Sequence, residues 1–326
     1  MDVINDDTLF QKGEIDVALL HKKNKSESFL LSCIKDSENS FSARAMMQEH
    51  HYFSDHTATM SDLMYLLECA RQAETYIVHQ YNKQPLDIHF ILSDWSGQFT
   101  SDFLPLREFS SQEIKFRVFL KSSQFVKNRL ISQDYHFEFY DETIYAEFKM
   151  SVKYMTDAAY GVIRKKSIKE DTSNFFFNAT EKLSSIIPES IFRKDKHNVV
   201  IRTEQCNENH CISFICVDRN NTAYFDHEQD HYPAMVLMEA GKQNCQYWIY
   251  RNTENFIPVM VYMKSNFFKY AELESAIKII SSVSLNAGDN CFEFNVSLQQ
   301  KEMKLAEMKY VFSSLHKIGK KSETNK

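Results

Sequence analysis

Two triplets of polar residues stand inside otherwise apolar runs: Glu68, Arg71 and Gln72, and again Glu239, Lys242 and Gln243. Spacings of three and four place each triplet on one face of a helix. Burying an unpaired carboxylate is expensive, so an acid in such a setting needs a reason. One reason is an intrahelical ion pair on a solvated face. The other is a partly desolvated general base beside a cation that holds an anionic substrate group. Repetition of the whole triplet favours the second. Ahead of each helix stands an Asp-His pair, Asp55-His56 and Asp226-His227, preceded by aromatics (Tyr52 and Phe53; Tyr224 and Phe225). A histidine in a loop feeding a helix start can reach whatever that helix end binds. The alternative is a turn aspartate capping backbone amides beside a satisfied histidine.

The elements that must position these residues come from an internal repeat. His51–Val78 can be laid over Thr222–Ile249 without a gap: Glu68 falls on Glu239, Arg71 on Lys242, Gln72 on Gln243 and Tyr76 on Tyr247. Ile88–Leu92 falls on Val259–Met263 in the same register. Phe137-Glu138-Phe139 matches Phe292-Glu293-Phe294 and Lys153-Tyr154 matches Lys309-Tyr310, at a shorter offset. The first half therefore carries a longer insertion near 107–133. A tandem duplication accounts for this pattern.

Leu63, Leu66, Leu67, Ala70, Ala73 and Ile77 predict a helix over about 62–82, with Asp62 as N-cap and Pro85 beyond its end. In the second half Pro233 opens a helix running to about 250. Alternating runs at 114–119, 137–139 and 212–216 predict half-buried antiparallel strands. The expected architecture is α+β, two units each with a curled sheet around its helix and each burying its own core. Their expected extents are 1–166 and 167–326. The Lys/Ser-rich stretch 164–170 is the expected junction, and the tail 317–326 is expected to fray.

Composition excludes several classes. Only 6 glycines are present and none are clustered, so no G-x-G-x-x-G, G-x-x-x-x-G-K-[ST] or G-x-S-x-G can be written. Nucleotide-type phosphate loops and the α/β-hydrolase elbow are thereby ruled out. Lys+Arg 38 against Asp+Glu 44, a formal charge of −6, gives no basic footprint for nucleic acid. Seven scattered cysteines without C-x-x-C, and a charged amino terminus without an apolar core, lead to the expectation of a reducing cytoplasm. No apolar run has the length of a bilayer span, so no membrane partner is expected.

His227-Glu228-Gln229-Asp230-His231 reads H-E-x-x-H, but Pro233 puts those residues in the loop before the helix rather than on one helical face. The first-half equivalent lacks the pattern. Cys206, His210, Cys211 and Cys216 fit no standard zinc spacing, and Cys216 is expected in a strand. Neither a metal nor a cofactor is expected. Basic clusters at Arg193-Lys194-Asp195-Lys196 and Arg164-Lys165-Lys166 read as solvated surface, or as docking points for an acidic carrier protein.

Tyr224-Phe225-Asp226-His227 through Pro233-Ala234-Met235 to Glu239-Ala240 resembles the second-repeat signature of the A-factor biosynthesis (AfsA-like) hotdog proteins. His51-x-Phe53, Asp62-Leu63 and Glu68-x-x-Arg71-Gln72-Ala73 resemble the first-repeat counterpart. The resemblance covers about 30–310 and implies a double hotdog. Its implied activity is that of a γ-butyrolactone or butenolide synthase. Such enzymes move a β-ketoacyl chain from acyl carrier protein to the primary hydroxyl of dihydroxyacetone phosphate, and the ester then closes by aldol-type condensation.

On that resemblance Glu68 or Glu239 would be the general base. Backbone amides at Ala234 and Met235, or Leu63 and Met64, would hold the thioester oxygen, and Arg71 or Lys242 the acceptor phosphate. Hotdog sites form between two units, so His56 is expected to face Glu239, and His227 to face Glu68. The chain departs from the signature at Lys242 for Arg, Glu228 for Pro, Ala234 for Gly and Ser61 for His, and the second-half motif is the closer match. Alternatives are another hotdog activity on acyl thioesters, dehydration or hydrolysis, and a non-catalytic acyl or carrier-protein binding module. The sequence leaves further dimerisation open.

Overall fold

The computed structural model describes residues 15–47, 51–58, 62–100, 112–170, 183–286 and 291–315. The first half runs β1 (Leu30–Ser37), β2 (Ser40–Met46), α1 (Leu63–Gln80), β3 (His89–Phe99), β4 (Glu113–Val126), β5 (Arg129–Tyr140), β6 (Ile144–Met155) and α2 (Asp157–Glu170). The second repeats the order with β7 (Ile201–Cys206), β8 (His210–Ile215), α3 (Ala234–Asn252), β9 (Pro258–Phe267), β10 (Lys278–Asn286), β11 (Cys291–Gln300) and β12 (Met303–Ser314). Both long helices lie close to the bounds their periodicity gives.

Every described strand pairing is antiparallel, and the strands form one 12-stranded sheet, ordered β1-β2-β4-β5-β6-β3-β9-β12-β11-β10-β8-β7. Side-chain alternation follows the pleat. On β6, Ala146, Phe148, Met150, Val152 and Tyr154 are all buried, and β12 does the same with Ala306, Met308, Tyr310 and Phe312. From 112 to 133 the insertion expected in the first half forms the longer β4–β5 hairpin, whose outer end is exposed; 107–111 lie outside the described residues.

The halves join edge to edge where β3 meets β9, with Trp95 opposite Ser265 and Gly97 opposite Met263. Gly97 is required there, because a Cβ would lie 2.2 Å from the Phe148 ring across the strand pair. On this same buried face one apolar cluster continues from Leu20 through Trp95, Phe148 and Met263 to Phe312. The copies share a core, which corrects the expectation of two separate ones. Each fully buried Leu or Phe in it contributes roughly 1.5–3 kcal/mol relative to exposure.

Two further expectations are revised. The stretch 164–170 lies in α2, and Arg164 is buried rather than solvated. Cys216 sits one residue past β8 and is exposed. The tail 317–326 and Ser61 lie outside the described residues.

Candidate active site

α1 and α3 are buried on nearly all sides, so their polar residues must find partners inside the protein. Gln72 and Gln243 do so identically. Gln72 Oε1 accepts from the backbone N–H of Phe29 (2.8 Å), and its Nε2 donates to the Glu27 carbonyl (2.8 Å) and to Glu68 Oε1 (3.0 Å). Gln243 repeats this with Val200 N–H (2.9 Å), the Asn198 carbonyl (2.7 Å) and Glu239 Oε1 (2.8 Å). Both glutamines, expected to bind substrate, are instead committed to backbone and to orienting the glutamates.

The two Asp-His aspartates cross between halves. Asp226 accepts from the N–H groups of Lys23 (2.6 Å) and Asn24 (2.9 Å). Asp55 accepts from those of Lys194 (3.1 Å) and Asp195 (3.2 Å). Both act as turn caps, the alternative reading of the motif, and each ties its loop to the opposite copy. Asp226 Oδ2 also lies 3.4 Å from Nδ1 of His227.

Around Glu68 the site is open. Arg71 donates from Nε and Nη2 to the two carboxylate oxygens, 2.7 Å each, and Lys22 Nζ stands 3.1 Å from Oε1. Burial alone would raise this carboxyl, but Arg71 and Lys22 hold it well below the usual range. A carboxylate so stabilised is a weak base, which argues against the expected general-base role of Glu68. These groups line a cavity of about 970 Å³. Its far wall comes from the second half: Asp226, His227 and the start of α3 at Pro233, Ala234 and Met235.

His227 Nε2 accepts from the Gln229 amide (2.7 Å), consistent with a proton on Nδ1 toward Asp226. Pro233 supplies no side-chain cap to α3. Among the described residues, the Ala234 and Met235 amides have no acceptor. An apolar arm of about 480 Å³ adjoins at Phe90, Leu92 and Ala234 and continues past Leu237, Phe267 and Met303.

α2 roofs both spaces through Tyr160 and Ile163. It is tied down by Arg164, which pairs with Asp230 (2.9 Å) and Glu272 (2.6 Å), and by the Tyr160 hydroxyl, which donates to Asp230. His231, the second histidine of H-E-x-x-H, also binds Asp230 (2.6 Å), and this segment is loop. Among the described residues, the only trio of metal-type donors within 4.8 Å is His136, Glu138 and Glu147, none of which lines the cavity.

Around Glu239 the site is sealed. Arg193 Nη2 donates to Oε1 (2.6 Å), and Lys242 Nζ forms an ion pair with Oε2 at 2.7 Å. Lys242 also donates to Asp62 Oδ2 (2.9 Å), and His56 Nε2 lies 3.1 Å from the same oxygen. Asp62 Oδ1 meanwhile accepts from the Met64 N–H and caps α1. Glu239 is 0 % and Lys242 2 % exposed. Burial would raise Glu239 and Asp62, but the cations hold both carboxyls below the usual range. Burial, followed by Arg193, keeps His56 neutral.

His227 lines the cavity that also holds Glu68, and His56 contacts Asp62 in the cluster around Glu239. Lys242 and Arg193, expected to contact phosphate and solvent, are instead buried. Lys22, Arg193 and Asp62 are site members that the sequence reading does not include. The repeat register aligns Lys22 with Arg193 and is the available signal; Asp62 is accounted for locally as an N-cap.

This composite site between two copies, on one continuous sheet with a helix per copy, defines a tandem hotdog. The chain belongs to the A-factor biosynthesis hotdog (AfsA) family, whose domain matches residues 7–144 and 178–315. Over 74 residues it is 39% identical to the 2-oxo-3-(phosphooxy)propyl 3-oxoalkanoate synthase of Streptomyces virginiae, a match spanning 23% of this chain and 24% of that protein.

Two solved structures share the fold. The dehydratase-cyclase domain of ambruticin biosynthesis aligns with a TM-score of 0.51 at 9% identity, covering 90% of this chain and 98% of that one. A candidate thioesterase II from Thermobifida fusca YX aligns at 0.51 and 10%, covering 87% and 95%. No helix among the described residues is long and apolar enough to cross a membrane.

Proposed function

We propose that this chain is an acyltransferase that moves a β-ketoacyl group from acyl carrier protein to the hydroxyl of a small phosphorylated acceptor such as dihydroxyacetone phosphate. The observation that carries the reading is the Glu68 cavity, where paired cations, a histidine and an uncapped helix start face one another and open onto an apolar arm. Arg71 and Lys22 hold the acceptor phosphate, with Glu68 keeping both in place. The acyl chain lies in the apolar arm, and the thioester oxygen sits on the Ala234 and Met235 amides, where the α3 dipole favours developing negative charge.

When the acceptor hydroxyl displaces the Gln229 amide from His227 Nε2, that nitrogen takes the hydroxyl proton as the hydroxyl oxygen attacks the thioester carbonyl. Collapse of the tetrahedral intermediate breaks the C–S bond, and the carrier thiolate leaves with the proton returned from His227. The product is a β-keto ester of the phosphorylated alcohol, a precursor of the butenolide type. In this reading the Glu239 cluster is structural.

The test incubates purified protein with β-ketoacyl carrier proteins, with and without dihydroxyacetone phosphate, and reads products by mass. A phosphate-containing ester is expected. Free β-keto acid formed equally without the acceptor would replace this reading with hydrolysis.

A further inference from the structure

Two histidines of the first half meet beside the cavity with their Nε2 atoms 2.8 Å apart. His79, in the last turn of α1, is buried, and its Nδ1 lies 3.0 Å from the carbonyl oxygen of Gln84. A carbonyl only accepts, so Nδ1 of His79 carries a hydrogen. Burial lowers both imidazoles, and His21, further depressed by His79 and Arg71, falls to about 3. Each ring is therefore neutral near pH 7 and holds a single N–H.

With that hydrogen on Nδ1, Nε2 of His79 is a lone pair. The close Nε2–Nε2 contact then requires Nε2–H of His21 to donate into it. One nitrogen remains, Nδ1 of His21, and by elimination it is an acceptor. No described protein group donates to it, and His21 lines the same cavity as Arg71 and Glu68. The second half has no such pair: the repeat register puts Phe192 and Tyr250 at these places. The fixed acceptor thus occurs only on the open site.

We propose that in the binary complex Nδ1 of His21 accepts a hydrogen bond from the hydroxyl of the ligand whose phosphate sits on Arg71 and Lys22, with His79 as the residue that positions it, and that the same hydrogen turns to His227 only when transfer begins. This rests on reading the cavity as a site for a small phosphorylated alcohol, and it adds the group that tells an alcohol from a bare anion. A ligand without the hydroxyl leaves the lone pair facing an acceptor or nothing, a mismatch that binding sites of this kind penalise.

The experiment is calorimetric binding of three probes to the full chain: dihydroxyacetone phosphate, acetonyl phosphate (the same skeleton with hydrogen in place of the hydroxyl) and inorganic phosphate. The native protein is expected to prefer dihydroxyacetone phosphate over acetonyl phosphate by about tenfold or more. His21→Phe, a change for which Phe192 at the same left-handed backbone position is a precedent, should remove the preference while leaving inorganic phosphate binding within about twofold. His79→Gln, whose Oε1 can still accept from His21, should keep most of it.

Equal affinities for the two esters in the native protein overturn the proposal, as does failure to bind either. So does a preference that survives His21→Phe. Hydroxyl-dependent binding without any acyl transfer upholds the proposal and removes the acyltransferase reading instead.

Discussion

Glu68 and Glu239 occupy equivalent places in the two copies and keep the same companions: a basic residue one turn on, a glutamine beside it and a second cation from the loop before the first strand. Around Glu68, two cations, Arg71 and Lys22, meet one carboxylate. Around Glu239, two cations, Arg193 and Lys242, meet two, because Asp62 reaches in from the start of α1. At the equivalent place in the open site stands Pro233, which has nothing to offer. The sealed cluster carries its own anion on the helix start, and the open one has that position unfilled. Duplication allows one copy of a site to close over an internal substitute while the other stays open to a ligand.

The contrast can be broken most severely in the sealed cluster. Lys242→Met would leave Glu239 and Asp62 buried and short of a cation, a loss expected to cost about 3–5 kcal/mol. Arg71→Met, facing a cavity that water can enter with Lys22 still in place, should cost about 1 kcal/mol. Urea unfolding of both variants measures the difference, and equal losses would mean that the open site is structural too.

A functional asymmetry comes next. His227→Asn should lower acyl transfer by about 10²–10⁴-fold, the range of general-base loss. His56→Asn, in the sealed cluster, should leave turnover of the folded protein within roughly twofold. Release of carrier-protein thiol under saturating acceptor distinguishes them, and a larger loss at His56 would reverse the assignment of the two sites.

A third difference is in proton uptake. Glu74 lies on the open-site wall where Cys245 stands in the other half. Burial raises it from 4.5 to about 7 despite hydrogen bonds from Tyr154 and Thr75 and the nearby charge of Arg71. The folded state therefore holds a proton that the unfolded state has released. The resulting stability is full below about 4.5 and is lost as pH rises through about 7. Glu74→Gln should match the native protein near pH 5 and exceed it by roughly 2–3 kcal/mol at pH 8, compared by urea unfolding at the two values. A variant that gains nothing at pH 8 would show that the native carboxyl is already ionised at little cost.

Much of this is legible in the sequence. Apolar spacing and the gapless repeat locate both helices and both triplets, because those signals are local and periodic. Gln72 and Gln243 read wrongly as substrate ligands because their partners, Glu27 and Phe29 or Asn198 and Val200, lie far off along the chain and are backbone groups that leave no trace in side-chain identity. Asp62 has a sufficient local explanation, and its second contact, with Lys242, joins opposite halves of the chain. The second-half motif, the closer family likeness, divides between the two sites: Asp226, His227 and the start of α3 wall the open cavity, whereas Glu239 belongs to the sealed cluster. A signature records residue types in chain order, and that order does not show which cavity each side chain enters.

α2 connects the two copies in the chain and also roofs the cavity between them. The joint made by duplication has thus become part of the enclosure that the two copies share. A first half cut free after α2 would keep that helix but lose Asp230 and Glu272, the second-half carboxylates that hold Arg164 and Tyr160 in place, so the roof is carried by one copy and fastened by the other.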